Sequence, residues 1–250
     1  MPEQKNKISL NDKIINLASN NIVLIIILYT SIHIASCGYI GLLKPDKSVY
    51  PLTGIDISHH QGIIEWSKAK NEISFVFVKA TEGSDFADAN FKDNIDSIVK
   101  YNIPYSAYHF FTFCSSGKNQ AINFINHFKI DSNSLPPVID LEFLGKCNTR
   151  NKDSFNVKNE IKDFLEAVQL HYKKIPIIYT TYEFYNRYLL NDFSTYHFWI
   201  RDLFKEPDLK DGKEFVFWQY SNSGNINGIK GNVDMNVFKG NIDKLISLSN

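Results

Sequence analysis

The sequence predicts an α/β fold, an irregular TIM-like (β/α)5(β)3 barrel preceded by an N-terminal hydrophobic helix. Three observations carry this reading. From Thr53 onward short apolar runs alternate with longer amphipathic ones, as strands alternate with helices. After about residue 190 the helical patterns nearly vanish while strand-like runs continue. Polar and acidic residues recur at the ends of the apolar runs, where a barrel of this type gathers its working groups.

The elements are taken in chain order. Gly54 to Ser58 reads as the first strand, with a short helix around Glu65 to Lys70. Ser74 to Lys79 reads as the second, and Asp88 stands where an N-cap belongs ahead of a helix from Ala89 to about Lys100. Ile103 to Phe111 is the third strand, and Gln120 to Phe128 the next helix. The fourth strand, Pro136 to Phe143, opens on two prolines and is almost wholly apolar apart from Asp140 and Glu142. The longest helical pattern, Val157 to Tyr172, carries an apolar stripe of Ile161, Phe164, Leu165, Val168 and Leu170. Pro176 to Thr181 is the fifth strand, followed by a short helix from Glu183 to Leu190. Phe198 to Arg201, Phe215 to Tyr220 and Val233 to Met235 are three more strands with little between them, and Ile242 to Ser247 closes the chain as a helix.

The N-terminus is set apart from this barrel. Thirty residues between Lys13 and Lys44 hold no Asp, Glu, Lys or Arg, enough to cross a bilayer. Lys5, Lys7 and Lys13 precede the run, which favours a cytoplasmic N-terminus and export of the remainder of the chain. Residues 1–43 are therefore expected as a cytoplasmic tail with a membrane anchor or signal segment, 44–52 as a short linker and 53–250 as the catalytic barrel. Ile34-Ala35-Ser36-Cys37-Gly38 resembles a bacterial lipobox, so an uncleaved anchor, a lipoprotein carried on Cys37 and a freely secreted form all stand open. The expected location is the cell envelope, with the barrel outside the cytoplasm.

Charge excludes some partners. The chain holds 27 basic and 27 acidic residues, without the clustered basic charge that nucleic acid demands. No CxxC or Cys/His spacing suggests zinc, and neither a metal nor a cofactor is expected. A monomer is expected.

Asp140 and Glu142 are the candidate reactive pair. Side chains at i and i+2 of a strand project to one face, so both carboxyls point into whatever that face encloses. Burying ionised carboxylates costs several kcal/mol, about the loss that a structural role could offset only with cationic partners, which this strand lacks. A carboxyl beside a second carboxylate, partly withdrawn from water, keeps its proton toward neutral pH and suits general acid catalysis. The plainer alternative is a salt-bridged pair at a strand end.

Further residues resemble a known family. Gly54-Ile55-Asp56-Ile57-Ser58-His59-His60-Gln61-Gly62 with Trp66, Lys79-Ala80-Thr81-Glu82-Gly83 with Asp88 and Phe91, Tyr108-His109-Phe110, Asp140-Leu141-Glu142, Trp218-Gln219-Tyr220 and Val233-Asp234-Met235-Asn236-Val237-Phe238 occur in this order. Together they resemble the glycoside hydrolase family 25 muramidases, also called Chalaropsis-type lysozymes. The resemblance spans about residues 53 to 240. It implies a flattened eight-stranded barrel with five helices, and retaining hydrolysis of the β-1,4 bond between N-acetylmuramic acid and N-acetylglucosamine in peptidoglycan. The family's catalytic acids carry over onto Asp56, Asp140, Glu142 and Asp234, with Glu142 as proton donor. One departure is Arg201, where the family usually has a small residue; it either points outward or reshapes a subsite.

A retaining mechanism needs a group on the far face of the sugar, either a protein carboxylate about 5 to 5.5 Å from the acid or the substrate's own acetamido group. The D-x-E strand favours the second, with Asp140 orienting the acetamido group. Candidate substrate contacts are Tyr108, His109, Tyr179, Trp218, Gln219 and Lys79, with Tyr108 and Trp218 as sugar platforms. His59, His60 and His109 lack metal spacing and are expected in or near the cleft. Cys114 and Cys147 come after the third and fourth strands, neighbours in a barrel built in chain order, so a rim disulfide is expected, with two buried thiols as the alternative. The rival function is a catalytically silent, membrane-tethered peptidoglycan-binding module, which would keep the aromatics and lose the acids.

Overall fold

The computed structural model describes residues 44–144, 147 and 154–248, and the expected N-terminal helix lies outside them. The described elements are β1 (Leu52–Ile57), α1 (Trp66–Ala69), β2 (Phe75–Glu82), β3 (Phe86–Ala87), α2 (Phe91–Lys100), β4 (Tyr105–Phe110), α3 (Gly117–His127) and β5 (Val138–Leu141). Beyond them come α4 (Ser154–Tyr172), β6 (Ile177–Thr181), α5 (Tyr182–Phe184) with a π-helical turn at Tyr185–Leu189, β7 (His197–Arg201), β8 (Phe217–Gly224), β9 (Val233–Phe238) and α6 (Ile242–Ser247). The strands form one sheet in the order β1-β9-β8-β7-β6-β5-β4-β2-β3, and a β1–β2 pairing closes it. The two-residue β3 pairs only with β2, so the barrel itself has eight strands.

The pairing corrects the expectation of a parallel barrel. Every neighbour from β1 through β2, β4, β5, β6, β7 to β8 is parallel, but β9 runs antiparallel to both β8 and β1. The physical reason lies in the connection: β8 ends at Gly224 and β9 begins at Val233, too short a link for the crossover of about a dozen residues that a parallel neighbour needs, so the chain returns as a hairpin.

Strand alternation sorts the core into two layers. Phe75, Phe77, Val138, Ile177, Tyr179, Trp199, Phe217 and Phe238 fill the barrel. Trp199 stacks on Phe77 at 4.3 Å, and Phe217 meets Phe75, Phe77 and Phe238 at 5.0–5.3 Å. Their neighbours Val76, Val78, Ile139, Leu141, Ile178, Ile200 and Trp218 face outward against the helices, among Ile98, Phe124, Phe164 and Val168. Each such side chain contributes about 1.5–3 kcal/mol through burial. Leu170, expected on the apolar stripe of α4, is instead 70% exposed. Gly117 begins α3 so close to α4 that an added Cβ would lie 1.9 Å from the Glu160 carbonyl oxygen, and its N–H donates to the Glu160 carboxylate at 2.6 Å.

Two further expectations change. Asn90, not Asp88, is the N-cap of α2; Asp88 stands two residues ahead, its Oδ1 accepting from the Asn90 backbone N–H at 3.0 Å and its Oδ2 from the His59 backbone N–H and ring Nδ1 at 3.0 and 2.7 Å. His109 faces outward and touches no part of the barrel mouth. Its Nε2–H donates to Gln120 Oε1 at 3.1 Å, its Nδ1 accepts from the Thr81 hydroxyl at 2.7 Å, and its ring stacks on Phe164. Burial pushes its pKa down to about 3, against a weaker upward pull from Gln120.

That neutral histidine makes a prediction for stability. The unfolded chain takes up the His109 proton near pH 6.5 and the fold only near 3, so between these values the unfolded state binds more protons and stability falls as pH falls. His109→Gln removes this dependence. The difference in unfolding free energy between the wild type and His109→Gln, read by urea denaturation, is expected to narrow from pH 7 to pH 4; a constant difference would show that His109 carries its charge in the fold.

Candidate active site

The strands' carboxyl ends surround a cavity of about 430 Å³, within the usual range for sites of small organic ligands. Asp56 on β1, Lys79 on β2, Tyr108 and Phe110 on β4, Asp140 on β5 with Glu142 just beyond it, Tyr179 on β6, Trp199 and Arg201 on β7, and Gln219 on β8 all line it. Asp234 joins them from the beginning of β9, not from a strand's carboxyl end. Because β9 is antiparallel, its first turn meets the mouth, and the register sets Asp234 directly opposite Asp56.

Asp56 is the most tightly held of these groups. Its Oδ2 accepts from Gln219 Nε2 at 2.8 Å and from Asn236 Nδ2 at 2.7 Å. Tyr179 donates its hydroxyl hydrogen to Gln219 Oε1 at 3.0 Å, and Trp199 Nε1 donates to Asn236 Oδ1 at 2.8 Å. Burial raises the Asp56 carboxyl well above the usual range, the Asp234 charge raises it further, and the two amide donors oppose the shift. Asp234 stands in register opposite Asp56, so the two carboxyls sense each other's charge and do not ionise independently.

Asp140 and Glu142 enter the cavity from one side of β5, as the i, i+2 spacing requires. Asp140 Oδ1 is buried and has no hydrogen-bond partner among the described residues. Burial lifts the Asp140 carboxyl well above its ordinary value, and repulsion from Glu142 adds to this while Lys79 opposes it. Burial also raises Glu142, which Arg201 and Lys79 pull down and Asp234 pushes up. Lys79 reaches the mouth but spends its ammonium on Glu82 at 2.7 Å and lies over the Phe110 ring at 4.9 Å.

The expected substrate contacts divide by strand parity. Tyr108, Tyr179, Gln219 and Lys79 face the cavity. Trp218 does not: it is buried on the outer side, donates Nε1–H to the Asp202 carbonyl at 2.8 Å and packs edge-on against Tyr50. Trp218 and Gln219 are adjacent on one strand and cannot share a face, and the same holds for Tyr108 and His109. Sequence reasoning left Trp199 and Asn236 unassigned, although the parity of β7 and β9 marks both. Of the histidines, His60 lines the cavity and His59 is held aside by Asp88. Arg201 points into the mouth, which settles its orientation. At the rim, Cys114 and Cys147 form a disulfide with Cα atoms 5.4 Å apart, closing 33 residues of sequence, a constraint of about 3–4 kcal/mol in the chain-entropy view.

Comparisons with known proteins agree with this architecture. Residues 55–229 match the family model described as glycosyl hydrolases family 25. A family 25 glycosyl hydrolase structure from Bacillus anthracis superposes with a TM-score of 0.76 at 36% identity, covering 79% of this chain and 93% of that one. A bacterial lysozyme structure from Streptomyces coelicolor gives 0.73 at 30% identity, over 80% and 97% of the two chains. Lysozyme M1 of Streptomyces globisporus is 32% identical over 208 residues, 79% of this chain and 71% of its own. A closed eight-stranded barrel, a mouth ringed by carboxyls and this match across most of the described residues lead to one conclusion: the chain belongs to glycosyl hydrolases family 25 and is a glycoside hydrolase.

Proposed function

We propose that this enzyme is a muramidase, hydrolysing the β-1,4 bond between N-acetylmuramic acid and N-acetylglucosamine in peptidoglycan with retention of configuration. The observation that carries the mechanism is the Asp140–Glu142 pair, with a buried Asp140 oxygen left without a partner. An acceptor held ready inside a cavity suits an N–H donor on the substrate, and the acetamido group at C2 of the sugar is one. Glu142 gives its proton to the glycosidic oxygen as the C1–O bond breaks, and the acetamido carbonyl oxygen attacks C1 to form a cyclic oxazolinium. Asp140 accepts the hydrogen bond from the acetamido N–H and balances its charge. Glu142, now ionised, takes a proton from water, which opens the ring at C1 from the face that the leaving group left. Asp56 serves poorly as a nucleophile, since two amides hold its Oδ2 and burial raises its carboxyl well above the ordinary range. Its place is to anchor the floor of the mouth. The relatives named lysozyme support the substrate class.

We further propose that the barrel works outside the cytoplasm, held at the membrane by the uncharged segment before Lys44. The Cys114–Cys147 bridge supports an oxidising compartment. Cell fractionation checks the tether. Full-length protein in the soluble cytoplasm would overturn export, and a Cys37→Ser variant still on the membrane would exclude lipidation as the anchor.

The two carboxyls of β5 differ in their expected variants. Glu142→Gln keeps shape and loses the proton donor, so turnover of purified cell walls should fall about 10²- to 10⁴-fold while binding survives. That pattern also separates an enzyme from a binding module, whose wall turbidity would not fall even in the wild type. The active form of the pair is singly protonated, with Asp140 ionised and Glu142 protonated, so the wild type should show a bell-shaped pH profile. Asp140→Asn removes the like charge that raises the pair's second ionisation; the acidic limb should vanish and the basic limb move to lower pH. An unmoved basic limb in that variant would sink the assignment of roles.

A further inference from the structure

Arg201 is the cation in this mouth that the mechanism does not use. It lies two positions beyond Trp199 on β7, so both side chains enter the cavity, with Arg201 one step nearer the opening. Its charge reaches Glu142 and Asp234 and opposes the upward shift that burial gives both carboxyls. Among the described residues, however, it forms neither an ion pair nor a hydrogen bond, whereas Lys79 is already committed to Glu82. A guanidinium whose sole purpose was to neutralise Glu142 would sit against it in the bidentate geometry that arginine favours, and it would then hold the acid ionised. Arg201 lines the cavity without such a pairing among the described residues and leaves the acid able to carry a proton.

We propose that Arg201 is a specificity residue that receives a carboxylate borne by the muramyl unit of the substrate. This rests on the muramidase reading above. β5 and β7 are separated by β6 alone, and Asp140, Tyr179 and Trp199 are in register across them. Arg201 thus starts about 10 Å across the sheet from Asp140 and one pleat higher, a gap its own side chain can largely span. In muramic acid the lactyl ether sits on C3, the ring carbon next to the C2 that bears the acetamido group. With Asp140 on the acetamido N–H, a carboxylate on that lactyl arm comes toward Arg201. The lactyl carboxyl is free where the stem peptide has been removed and is an amide where the peptide remains, in which case the peptide's own carboxylates are the second source of the same chemistry.

The test measures kcat/KM for the wild type, Arg201→Ala and Arg201→Lys on glycan strands of matched length. One pair of substrates is peptide-free, with the lactyl carboxyl either free or amidated; a second pair carries stem peptides with their carboxyls free or amidated. The wild type is expected to prefer the free form within one pair by about tenfold or more, the scale of a charge-assisted hydrogen bond, and the pair that shows the preference names the source. In Arg201→Ala the ratio should fall to about one, with Arg201→Lys between. Each ratio is taken within one enzyme at one pH, so changes in folding or in the Glu142 proton cancel, and Arg201→Gln replaces the alanine variant if that fails to fold. A wild type indifferent to amidation in both pairs, or a preference that survives in Arg201→Ala, overturns the proposal. A folded wild type that cleaves none of the four strands would instead overturn the muramidase reading.

Discussion

The closure of the barrel depends on how the Asp56 carboxylate is satisfied. A buried carboxylate without partners costs several kcal/mol, about as much as a small domain has to spare. Asp56 obtains its partners from the two strands that complete the cylinder, Gln219 on β8 and Asn236 on β9. Each amide is locked by a second hydrogen bond that leaves only one orientation open. Tyr179 donates to Gln219 Oε1 and Trp199 to Asn236 Oδ1, so both amide nitrogens must turn toward Asp56. The floor of the mouth is therefore a chain running from β6 through β8, β1 and β9 back to β7, and loosening any member frees the others.

The same burial governs the charge of the mouth. Asp56, Asp140, Glu142 and Asp234 are all raised by withdrawal from water, and among the described residues the lysine and arginine that line the mouth with them are Lys79 and Arg201. Four carboxylates cannot all ionise in such a space, so the mouth keeps protons toward neutral pH. The antiparallel β9 sharpens this by placing Asp234 opposite Asp56, where its charge pushes the Asp56 carboxyl up further. Proton retention, the property that acid-assisted cleavage of a glycosidic bond requires, thus arises from strand direction and burial together.

Much of this was legible in the sequence, and the failures have one cause. Apolar runs marked every barrel strand, because a strand buried on both faces leaves few other readings. The acids were legible because a charge within such a run has to face an opening. Strand parity was the signal left unused. Trp218 beside Gln219, and His109 beside Tyr108, cannot both face inward; applying the two-residue period from Asp140 and Glu142 to each neighbour would have chosen Gln219, Tyr108 and Trp199. The antiparallel course of β9 was hidden because direction is carried by pairing, not by composition. Asp88 looked like the helix cap because a cap is a local pattern; it does bond the Asn90 backbone N–H, but its other carboxylate oxygen serves His59, 29 residues away, which no local pattern reveals.

Trp218 shows what the missing helices required. Helices follow each of the first five strands of the barrel in chain order, but between β7 and β8 the described chain has none. The outward face of β8 still carries a large aromatic side chain, and it is buried by other means. Tyr50 lies edge-on to Trp218 at 5.7 Å and donates its hydroxyl hydrogen to Glu206 at 2.6 Å, while the Asp202 carbonyl accepts from the Trp218 indole. The stretch ahead of β1 is thus part of the fold's cover on that flank. It also fixes where the chain enters the barrel: β1 runs from Leu52 toward Asp56 at the mouth, so the chain arrives at the opposite end. A substrate can therefore approach the acids at the mouth without passing Tyr50 and the stretch that covers Trp218.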